Sequence, residues 1–284
     1  MTNNLRLALL ALLLALPATT APAADPATTR DLVAALFGGD EDARMDAIDA
    51  LGRSSDPRAT APLLDLLADP RRPGLERIAA ATALGQRGDR RAVEPMIAAL
   101  RDDMRRRTGV MMAIIPSLGA LADRRAVPVL LEALNRREDH WLAREVAARA
   151  LGRIGDTRAV PALLTAVWMA DTRTAAVAAL AGFRDPRALG VLLPALQSGD
   201  EPEVRHSAAV GLIFLGTEAV PALTELAVRD GGEAYDQSLR LRAIEILGAI
   251  GGEPARAALN RAAQAKGAVV RMAARAALRR FDDD

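Results

Sequence analysis

The sequence predicts an all-α protein, an α-solenoid built from about eight antiparallel helix pairs. Three observations point to this class: alanine and leucine dominate the apolar content, aromatic residues make up only 2% of the chain, and a motif of about 33 residues recurs. Alanine and leucine have high helix propensities, whereas a sheet protein would need more β-branched and aromatic residues. Repeats of this length bury a continuous core only when neighbours stack.

Residues 1–23 have the pattern of a secretory signal peptide. Arg6 precedes an apolar run over residues 7–16, and Ala21-Pro22-Ala23 offers a cleavage site between small residues. The run is too short to cross a bilayer comfortably. We therefore expect a periplasmic or secreted protein without stable membrane insertion after cleavage, and an uncleaved anchor is the alternative. The repeat domain is expected over residues 24–284.

The repeat is clearest in the segment ARALGRIGDTRAVPALLTAV, residues 148–167. It consists of an apolar residue with Leu-Gly, a short turn, Asp, and then Arg-Ala-Val-Pro at the start of an apolar helix. Related segments occur at residues 48–67, 81–100, 115–134, 177–196, 209–226 and 244–262. The aligned leucines define eight units: Leu51, Leu84, Leu118, Leu151, Leu180, Leu212, Leu247 and Leu278.

An arginine lies seven residues before seven of these eight leucines. These arginines are Arg44, Arg77, Arg144, Arg173, Arg205, Arg240 and Arg271. Since arginine forms fixed bidentate ion pairs, we expect each one to pair with a neighbouring carboxylate such as Asp40, Asp139, Asp200 or Asp236. Binding of an acidic partner by the same arginines is the alternative.

The third unit departs from this pattern in the apolar stretch TGVMMAIIPSLG, residues 108–119. Met111 stands where the other units have arginine, and Pro116 lies late in the helix. We expect the helix to bend there and the arginine series to be interrupted. The charged turn just before it, Asp102 to Arg107, is expected to be a solvated loop, with an anion site as the alternative.

Five aspartates lie where the first helix of a unit begins: Asp56, Asp89, Asp123, Asp156 and Asp185. A carboxylate at this position accepts a hydrogen bond from an otherwise unpaired amide and suits the positive end of a helix. Prolines follow about one turn later, at Pro62, Pro95, Pro128, Pro161 and Pro221. An interior proline removes a hydrogen bond, so we expect each to bend or restart its helix.

The repeat resembles HEAT repeats of the short bacterial kind found in phycobilin lyases. The resemblance covers residues 28–281 and is carried by segments such as LGRIGDTRAVPALLTAV. It implies a right-handed, armadillo-like superhelix of antiparallel helix pairs, with the second helix of each pair on the concave side. It also implies a structural ladder of the recurrent Asp and Arg residues. Lyase activity is not implied, because the resemblance lies in the repeat scaffold alone.

Motifs for catalysis, cofactors or metals are absent from the sequence. The chain has no cysteine, and its two histidines, His140 and His206, lie about two repeats apart. Deoxyhypusine hydroxylases, which are also HEAT-repeat proteins, hold a di-iron centre with His-Glu pairs. Here Trp141 and Ser207 follow the histidines. The sequence therefore predicts no cofactor, no metal and no enzymatic activity, and His140 is expected to be a cap or surface residue.

The charge balance argues against nucleic acid as a partner. Removal of residues 1–23 takes away one basic side chain and leaves 36 basic and 36 acidic residues, whereas nucleic-acid binders have a strong basic excess. Rare large side chains cluster in units three to five, and they are the candidates for a partner surface: Met111, Met112, Trp141, Trp168 and Met169. Core packing of the same residues is the alternative.

Together these features predict an exported, non-enzymatic scaffold that binds a protein or peptide along its concave face. The alternative is a lyase- or chaperone-like subunit that holds a small apolar ligand, such as a tetrapyrrole, near Trp141 and Trp168. A structural component of the cell envelope is a third possibility. The sequence does not define the partner or the oligomeric state.

Overall fold

The computed structural model describes residues 26–38, 40–136, 141–198, 201–229 and 234–282. Across these residues the chain is helical and contains no β-strand. The α-helices are α1 (Pro26–Gly38), α2 (Glu41–Arg53), α3 (Thr60–Ala68), α4 (Gly74–Arg87), α5 (Val93–Arg106), α6 (Met111–Leu121), α7 (Val127–Leu134), α8 (Trp141–Ile154), α9 (Val160–Ala166), α10 (Arg173–Phe183), α11 (Leu189–Ala195), α12 (Pro202–Leu215), α13 (Val220–Val228), α14 (Ala234–Ile250), α15 (Gly252–Ala262) and α16 (Ala268–Asp282).

Consecutive helices form eight pairs, from α1/α2 to α15/α16. We call the odd-numbered members first helices and the even-numbered members second helices. Each of the eight aligned leucines lies on a second helix, and the seven from Leu51 to Leu247 are buried. The predicted all-α fold and the number of helix pairs are therefore confirmed.

The chain divides into two compact units, Thr20–Ala179 and Leu180–Asp284, which we call the N-terminal and C-terminal units. In the N-terminal unit each second helix packs on the next one, α2 on α4, α4 on α6 and α6 on α8. In the C-terminal unit α12 contacts α14, and α14 contacts α16. The predicted boundary between a signal peptide and the repeats stays a prediction, because residues 1–25 lie outside the described residues.

In the N-terminal unit, the glycine of each Leu-Gly pair allows this close packing of second helices. A Cβ atom added to Gly119 would lie 2.9 Å from the Cα of Ala150, and one added to Gly152 would lie 2.8 Å from the Cβ of Ala179. Both contacts are too short for real carbon atoms. The glycines therefore set the distance between neighbouring repeats.

Six of the first helices, α3, α5, α7, α9, α11 and α13, begin in two stages, so the expected restart near the prolines is found, without the expected loss of a hydrogen bond. A short 3-10 helix comes first in the segments Pro57–Ala59, Arg90–Ala92, Arg124–Ala126, Thr157–Ala159, Pro186–Ala188 and Gly216–Ala219. The α-helix then starts, so that Pro128 is its second residue and Pro62 its third. An amide in this first turn has no partner within the helix. These prolines therefore remove no helical hydrogen bond.

The stretch Pro202–Val228 is apolar and long enough to cross a membrane by length and composition. In the structure it is not one helix. Helix α12 ends at Leu215, Gly216 takes a left-handed conformation with φ of 62°, and a 3-10 turn leads into α13. Buried residues such as Leu212 and Leu223 belong to the core between helix pairs. The apolar character of this stretch is thus explained by two packed helices.

Candidate functional site

On the second helices of the N-terminal unit, three positions on a common face are exposed or half-buried and lie six and two residues before the aligned leucine and two residues after it. In the N-terminal unit these positions are Met45, Asp49 and Arg53 on α2, Ile78, Thr82 and Gln86 on α4, Met112, Pro116 and Ala120 on α6, and Glu145, Arg149 and Arg153 on α8. Helices α4 and α6 are uncharged at these positions, whereas α2 and α8 on either side are charged.

A groove of about 470 Å³ lies along this uncharged part of the face. We call it the α4–α6 groove, and its lining consists of Ile78, Thr82, Gly85, Gln86, Met112, Ala113, Pro116, Ser117, Ala120 and Arg153. The two helices are in close contact at Gly85, where an added Cβ would lie 2.6 Å from Ser117. Small side chains such as Ala113 and Ala120 leave the space of the groove beside this contact. Met112 and Ile78 supply the apolar walls.

The charged side chains on α2 and α8, beside the groove, differ in whether they line it. On α2, Asp49 is paired with Arg53. On α8, Arg149 donates to the Glu145 carboxylate at 2.7 Å. Arg153 is the charged side chain that lines the groove itself. The site therefore combines an apolar floor with a guanidinium at one rim.

The recurrent aspartates cap the 3-10 helices, and each one binds the arginine two residues later. Asp156 accepts from the backbone N–H of Arg158 at 3.0 Å and from its Nη2 at 2.8 Å. The same contacts recur at Asp56, Asp89, Asp123 and Asp185 with Arg58, Arg91, Arg125 and Arg187. We call this motif Asp-x-Arg.

These hydrogen bonds lower the pKa of every aspartate in the series. The Arg158 side chain is the main cause at Asp156, and its backbone amide adds to it, so that the pKa of Asp156 falls to about 2. The pKa of Asp123 falls to about 2 through Arg125 in the same way. The Asp56, Asp89 and Asp185 carboxyls also have lowered pKa values. The carboxylates therefore stay ionised far into the acid range.

The Asp-x-Arg arginines also join successive repeats. Arg91 Nη2 donates to the Pro57 carbonyl at 2.9 Å, and Arg125 Nη2 donates to the Arg90 carbonyl at 3.1 Å. Arg158 Nη2 reaches the Arg124 carbonyl at 3.1 Å. These residues form an Asp–Arg ladder along the turns that connect one helix pair to the next. Sequence reasoning missed these arginines, although the D-x-R-A spacing recurs in the quoted repeats.

Five of the arginines seven residues before the leucines also bind backbone carbonyls, which the sequence pattern did not predict. They donate to carbonyl groups at or just after the end of the preceding first helix. Arg77 Nε reaches Leu67 O at 3.0 Å, and Arg240 Nε reaches Ala227 O at 3.2 Å. Arg144, Arg205 and Arg271 donate likewise to Arg136 O, Ser198 O and Lys266 O. Helix ends leave such carbonyls unpaired, so these arginines act as C-terminal caps.

The expected pairing with a neighbouring carboxylate is found at two described members of the series, with partners other than the ones expected from the sequence. Arg44 pairs with Glu76 at 2.7 Å, and Arg144 pairs with Asp171 through Nε at 2.8 Å. Asp40 instead caps α2 by accepting from the Ala43 amide at 2.8 Å. Asp139, Asp200 and the side chain of Asp236 lie outside the described residues. Arg173 is half-buried at the start of α10.

The third repeat has no arginine at this position. A carboxylate there accepts from a backbone amide, whereas in other repeats a guanidinium donates to a backbone carbonyl. Met111 is buried, and its backbone amide donates to Asp103 Oδ2 at 2.8 Å. Thr108 donates its hydroxyl to the same carboxylate. Asp103 is only 1% exposed, so the expectation of a fully solvated charged turn is wrong at this residue. Asp102 does pair with Arg105 and Arg106 at the surface, which lowers its pKa.

The structure separates the five candidate partner-binding residues. Met111 is a core residue, which corrects its assignment to a surface, and Met112 lines the α4–α6 groove. Trp141 and Trp168 are 57% and 74% exposed, at the start of α8 and in the turn after α9, and neither lines the groove. Met169 is half-buried beside Trp168. They therefore belong to the core, the groove and a turn surface.

Metal binding finds no support in the described part of the chain. No group of three or more His, Asp or Glu side chains there could hold a metal ion. His206 is exposed on α12, and His140 lies outside the described residues. In the C-terminal unit a second apolar groove of about 590 Å³ lies between α14 and α16. Its lining includes Leu241 and Ile244 on α14 and Met272 on α16.

Comparison with protein families agrees with the helix-pair architecture. A family model of HEAT repeats matches residues 29–112, 72–140, 110–172 and 168–234, which together span most of the chain. The chain belongs to the HEAT-repeat family, and its fold is an α-solenoid. No curated protein matches the chain.

Two solved structures are similar to this chain. The complex of CpcE and CpcF of phycocyanin lyase from Nostoc sp. PCC7120 is similar at 22% identity over 93% of this chain and 97% of that chain, with a TM-score of 0.48. Human deoxyhypusine hydroxylase in complex with glycerol is similar at 22% identity over 84% of this chain and 97% of that chain, with a TM-score of 0.40. Likeness at this level concerns the fold alone.

The prediction that the chain is not an enzyme is corrected by these structures. It was based on the absence of catalytic and metal motifs, whereas both solved structures are of enzymes, a lyase and a hydroxylase. A chain of helix-pair repeats therefore cannot be assigned to the non-enzymatic class by its fold and its missing motifs. We assign it no reaction.

Proposed function

We propose that this HEAT-repeat protein is an exported scaffold that holds a segment of a protein partner in the α4–α6 groove. The observation that carries the proposal is the uncharged part of the second-helix face between two charged helices. A groove of this composition favours an apolar segment. The export step is supported by the signal-like pattern of residues 1–23.

The contacts of the groove suggest the chemistry of that segment. Apolar side chains of the partner would lie against Ile78 and Met112, where burial of apolar area contributes roughly 25 cal/mol per Å². Arg153 at the rim favours a carboxylate on the same segment, since arginine binds carboxylates with two parallel hydrogen bonds. The partner is therefore an apolar stretch with an acidic residue near one end.

Photo-crosslinking in the native host tests this proposal. A photoreactive phenylalanine analogue at Met112 is expected to capture one protein, which mass spectrometry identifies, and the same analogue at exposed Glu94 on α5 should not. Failure of the Met112 position to capture a protein above the Glu94 background would contradict the proposal.

A matched pair of threonines provides the control variants. Thr82 in the groove and Thr165 on α9 are both exposed, and each hydroxyl donates to the carbonyl four residues earlier. Thr82→Lys places a charge in the groove and is expected to abolish the crosslink in a chain with the analogue at Met112. Thr165→Lys is expected to leave it unchanged. Equal crosslinking in the two variants would count against the groove as the binding site.

A small apolar ligand, such as a tetrapyrrole, is a second candidate for the same groove. The volume of about 470 Å³ favours it, since ligand pockets commonly have volumes of this order. Titration with biliverdin is then expected to change the absorption spectrum of the pigment, and Thr82→Lys should prevent the change. Tryptophan fluorescence is unsuited to this test, because neither tryptophan lines the groove. An unchanged spectrum would exclude this tetrapyrrole.

A further inference from the structure

Each second helix has one side that faces the next repeat and one side that faces the previous repeat. The residue after an aligned leucine meets the residue before the following one: an added Cβ on Gly119 would lie 2.9 Å from Ala150, and one on Gly211 would lie 2.9 Å from the Cα of Ala181. Residues four positions apart lie on the same side of a helix. The residue three before the leucine therefore also faces the next repeat, and the residue five before it faces the previous one.

Most second helices have small or apolar residues on both of these sides. Three residues before the leucine, the helices from α2 to α14 have isoleucine, valine or alanine, for example Ile48, Ile115 and Ile244. One residue after the leucine, the same helices have glycine, alanine or isoleucine. Five residues before it, the helices from α4 to α16 have alanine or valine, except for Ser207 and Arg242. Such residues suit the contact between stacked repeats.

The first and the last described helix pair depart from this pattern with opposite charges. On α16 the two positions on the side that elsewhere faces the next repeat are Arg275 and Arg279, and both are exposed. On α2 the position on the side that elsewhere faces the previous repeat is Asp46, and Asp42 lies one turn earlier on the same side; both are exposed. We call the surface with Arg275 and Arg279 the basic end and the surface with Asp42 and Asp46 the acidic end.

The charge of each end agrees with the charge of its whole helix pair. Residues 26–53, which contain α1 and α2, include six acidic and three basic side chains. Residues 252–284, which contain α15 and α16, include seven basic and four acidic side chains. Among the described residues, the side chains of Arg275, Arg279, Asp42 and Asp46 make no hydrogen bond or ion pair. Their charges are therefore available to a partner.

Charge complementarity indicates a second copy of this chain as the partner. Where the acidic end of one copy takes the place of the next repeat on the basic end of another, Arg275 is level with Asp46 of the second copy and Arg279 lies one turn further on. Two ends of the same kind repel each other, so the contact joins unlike ends. We propose that this protein associates head to tail through its acidic and basic ends. This proposal is independent of the α4–α6 groove.

The arginines also determine the strength of such a contact. Arg279 stands where inner repeats have a glycine that brings second helices together, so two copies cannot approach as closely as two repeats do. The contact is therefore made by exposed ion pairs, which are weak one by one and are screened by salt. We expect reversible association that depends on protein concentration and on ionic strength.

Sedimentation equilibrium of the purified chain tests the self-association. At low salt the average mass is expected to rise above that of the monomer as the protein concentration increases to about 1 mM. It should return to the mass of the monomer when the salt concentration is raised to about 0.5 M, because salt screens exposed charges. A chain that stays monomeric at every concentration in low salt would overturn the proposal.

Reversal of the charges shows whether the two ends make the contact. Arg275→Glu with Arg279→Glu, and separately Asp42→Arg with Asp46→Arg, should each weaken association about tenfold or more, because unlike ends become like ends. An equimolar mixture of the two variants is expected to associate again, since each reversed end then meets an end of opposite charge. Circular dichroism verifies that both variants are folded. A mixture of folded variants that remains monomeric would refute the proposal.

A charge-matched control separates the ends from the net charge of the chain. Arg90→Glu with Arg124→Glu changes the charge by the same amount at exposed positions in the turns between helix pairs. This variant is expected to associate like the unsubstituted chain, and an equal weakening would contradict a role of the ends. A monomeric chain whose Arg275→Glu and Arg279→Glu variant loses an acidic protein of the host would show that the basic end binds another partner, and head-to-tail association would be wrong.

Discussion

The N-terminal unit contains the same three-residue motif on both of its edges, and its consequences differ. The turns between helix pairs form one edge, which carries Asp156-x-Arg158, and the turns within helix pairs form the other, the intra-pair edge, which carries Asp69-x-Arg71. In both, the aspartate accepts from the amide and the guanidinium of the arginine two residues later. The pKa of each aspartate is lowered by these bonds.

The difference lies in what surrounds the motif. Asp156 is 7% exposed, caps a helix, and its arginine also reaches the carbonyl of Arg124 in the preceding repeat. Asp69 follows the end of α3, and Arg71 is 89% exposed. Asp156-x-Arg158 thus joins neighbouring repeats, whereas Asp69-x-Arg71 leaves its arginine in solvent. A local motif therefore indicates a conformation, and its neighbours decide whether it stabilises the fold or remains available for binding.

The largest expected effect separates the two aspartates. Asp156→Ala removes a helix cap and a carboxylate that accepts charge-assisted hydrogen bonds, so the free energy of unfolding should fall by about 2 kcal/mol. Asp69→Ala removes the same local bonds at the surface, and a much smaller loss is expected. Urea denaturation of the two variants measures both values. Similar losses would show that the local motif alone determines stability.

Beneath the intra-pair edge, a buried arginine is expected to have the next largest effect. Arg77 is 4% exposed and donates to the Leu67 carbonyl, so Arg77→Met leaves that carbonyl unpaired. We expect a loss of about 1–2 kcal/mol. Arg101→Met removes an exposed arginine that pairs with Glu132 at 3.3 Å and serves as the control, with little expected loss. Thermal denaturation that ranks the two variants equally would contradict this.

Acid titration measures how much the ionised Asp156 carboxylate, on the edge between helix pairs, contributes to stability. Asp156→Asn keeps a side chain that can cap, so its difference in stability from the unsubstituted chain reports the ionised carboxylate. The folded pKa of about 2 lies below the ordinary value of about 4. The stabilisation is therefore fully present above about pH 4 and is lost as the pH falls through about 2. A difference in melting temperature that stays constant over this range would disprove the effect.

The sequence determined the architecture because the fold depends on periodic features. Leucine spacing fixes the second helices, and Asp156 or Asp123 at the start of a first helix fixes the turn. Spacing alone did not predict which of the two recurrent arginines in each repeat binds the aspartate at the start of the first helix. Arg158 pairs with Asp156 because they are only two residues apart, and the backbone already holds the guanidinium near the carboxylate. Arg144 lies on α8, and its guanidinium donates to the Arg136 carbonyl just after the end of α7.

The candidate site was only partly predictable for a related reason. Periodicity shows that Met112 and Trp141 belong to helices, but neighbouring helices determine what each side chain faces. Met111 and Met112 are adjacent, yet one is in the core and the other in the groove. Asp103 lies in a run of charges and is buried because the amide of Met111 and the hydroxyl of Thr108 satisfy it. Such contacts arise between segments and leave no periodic signal.

The smallest expected effect on stability concerns the tryptophans of the intra-pair edge. Trp168 and Trp141 are mostly exposed, so their replacement by serine should change the free energy of unfolding by less than about 0.5 kcal/mol. Exposed aromatic side chains do not gain the free energy that apolar burial gives in a core. Their exposure is therefore better explained by a role in binding. A loss of 2 kcal/mol or more, of the order expected for a buried group, would show that these rings support the fold. The intra-pair edge would then be structural like its counterpart.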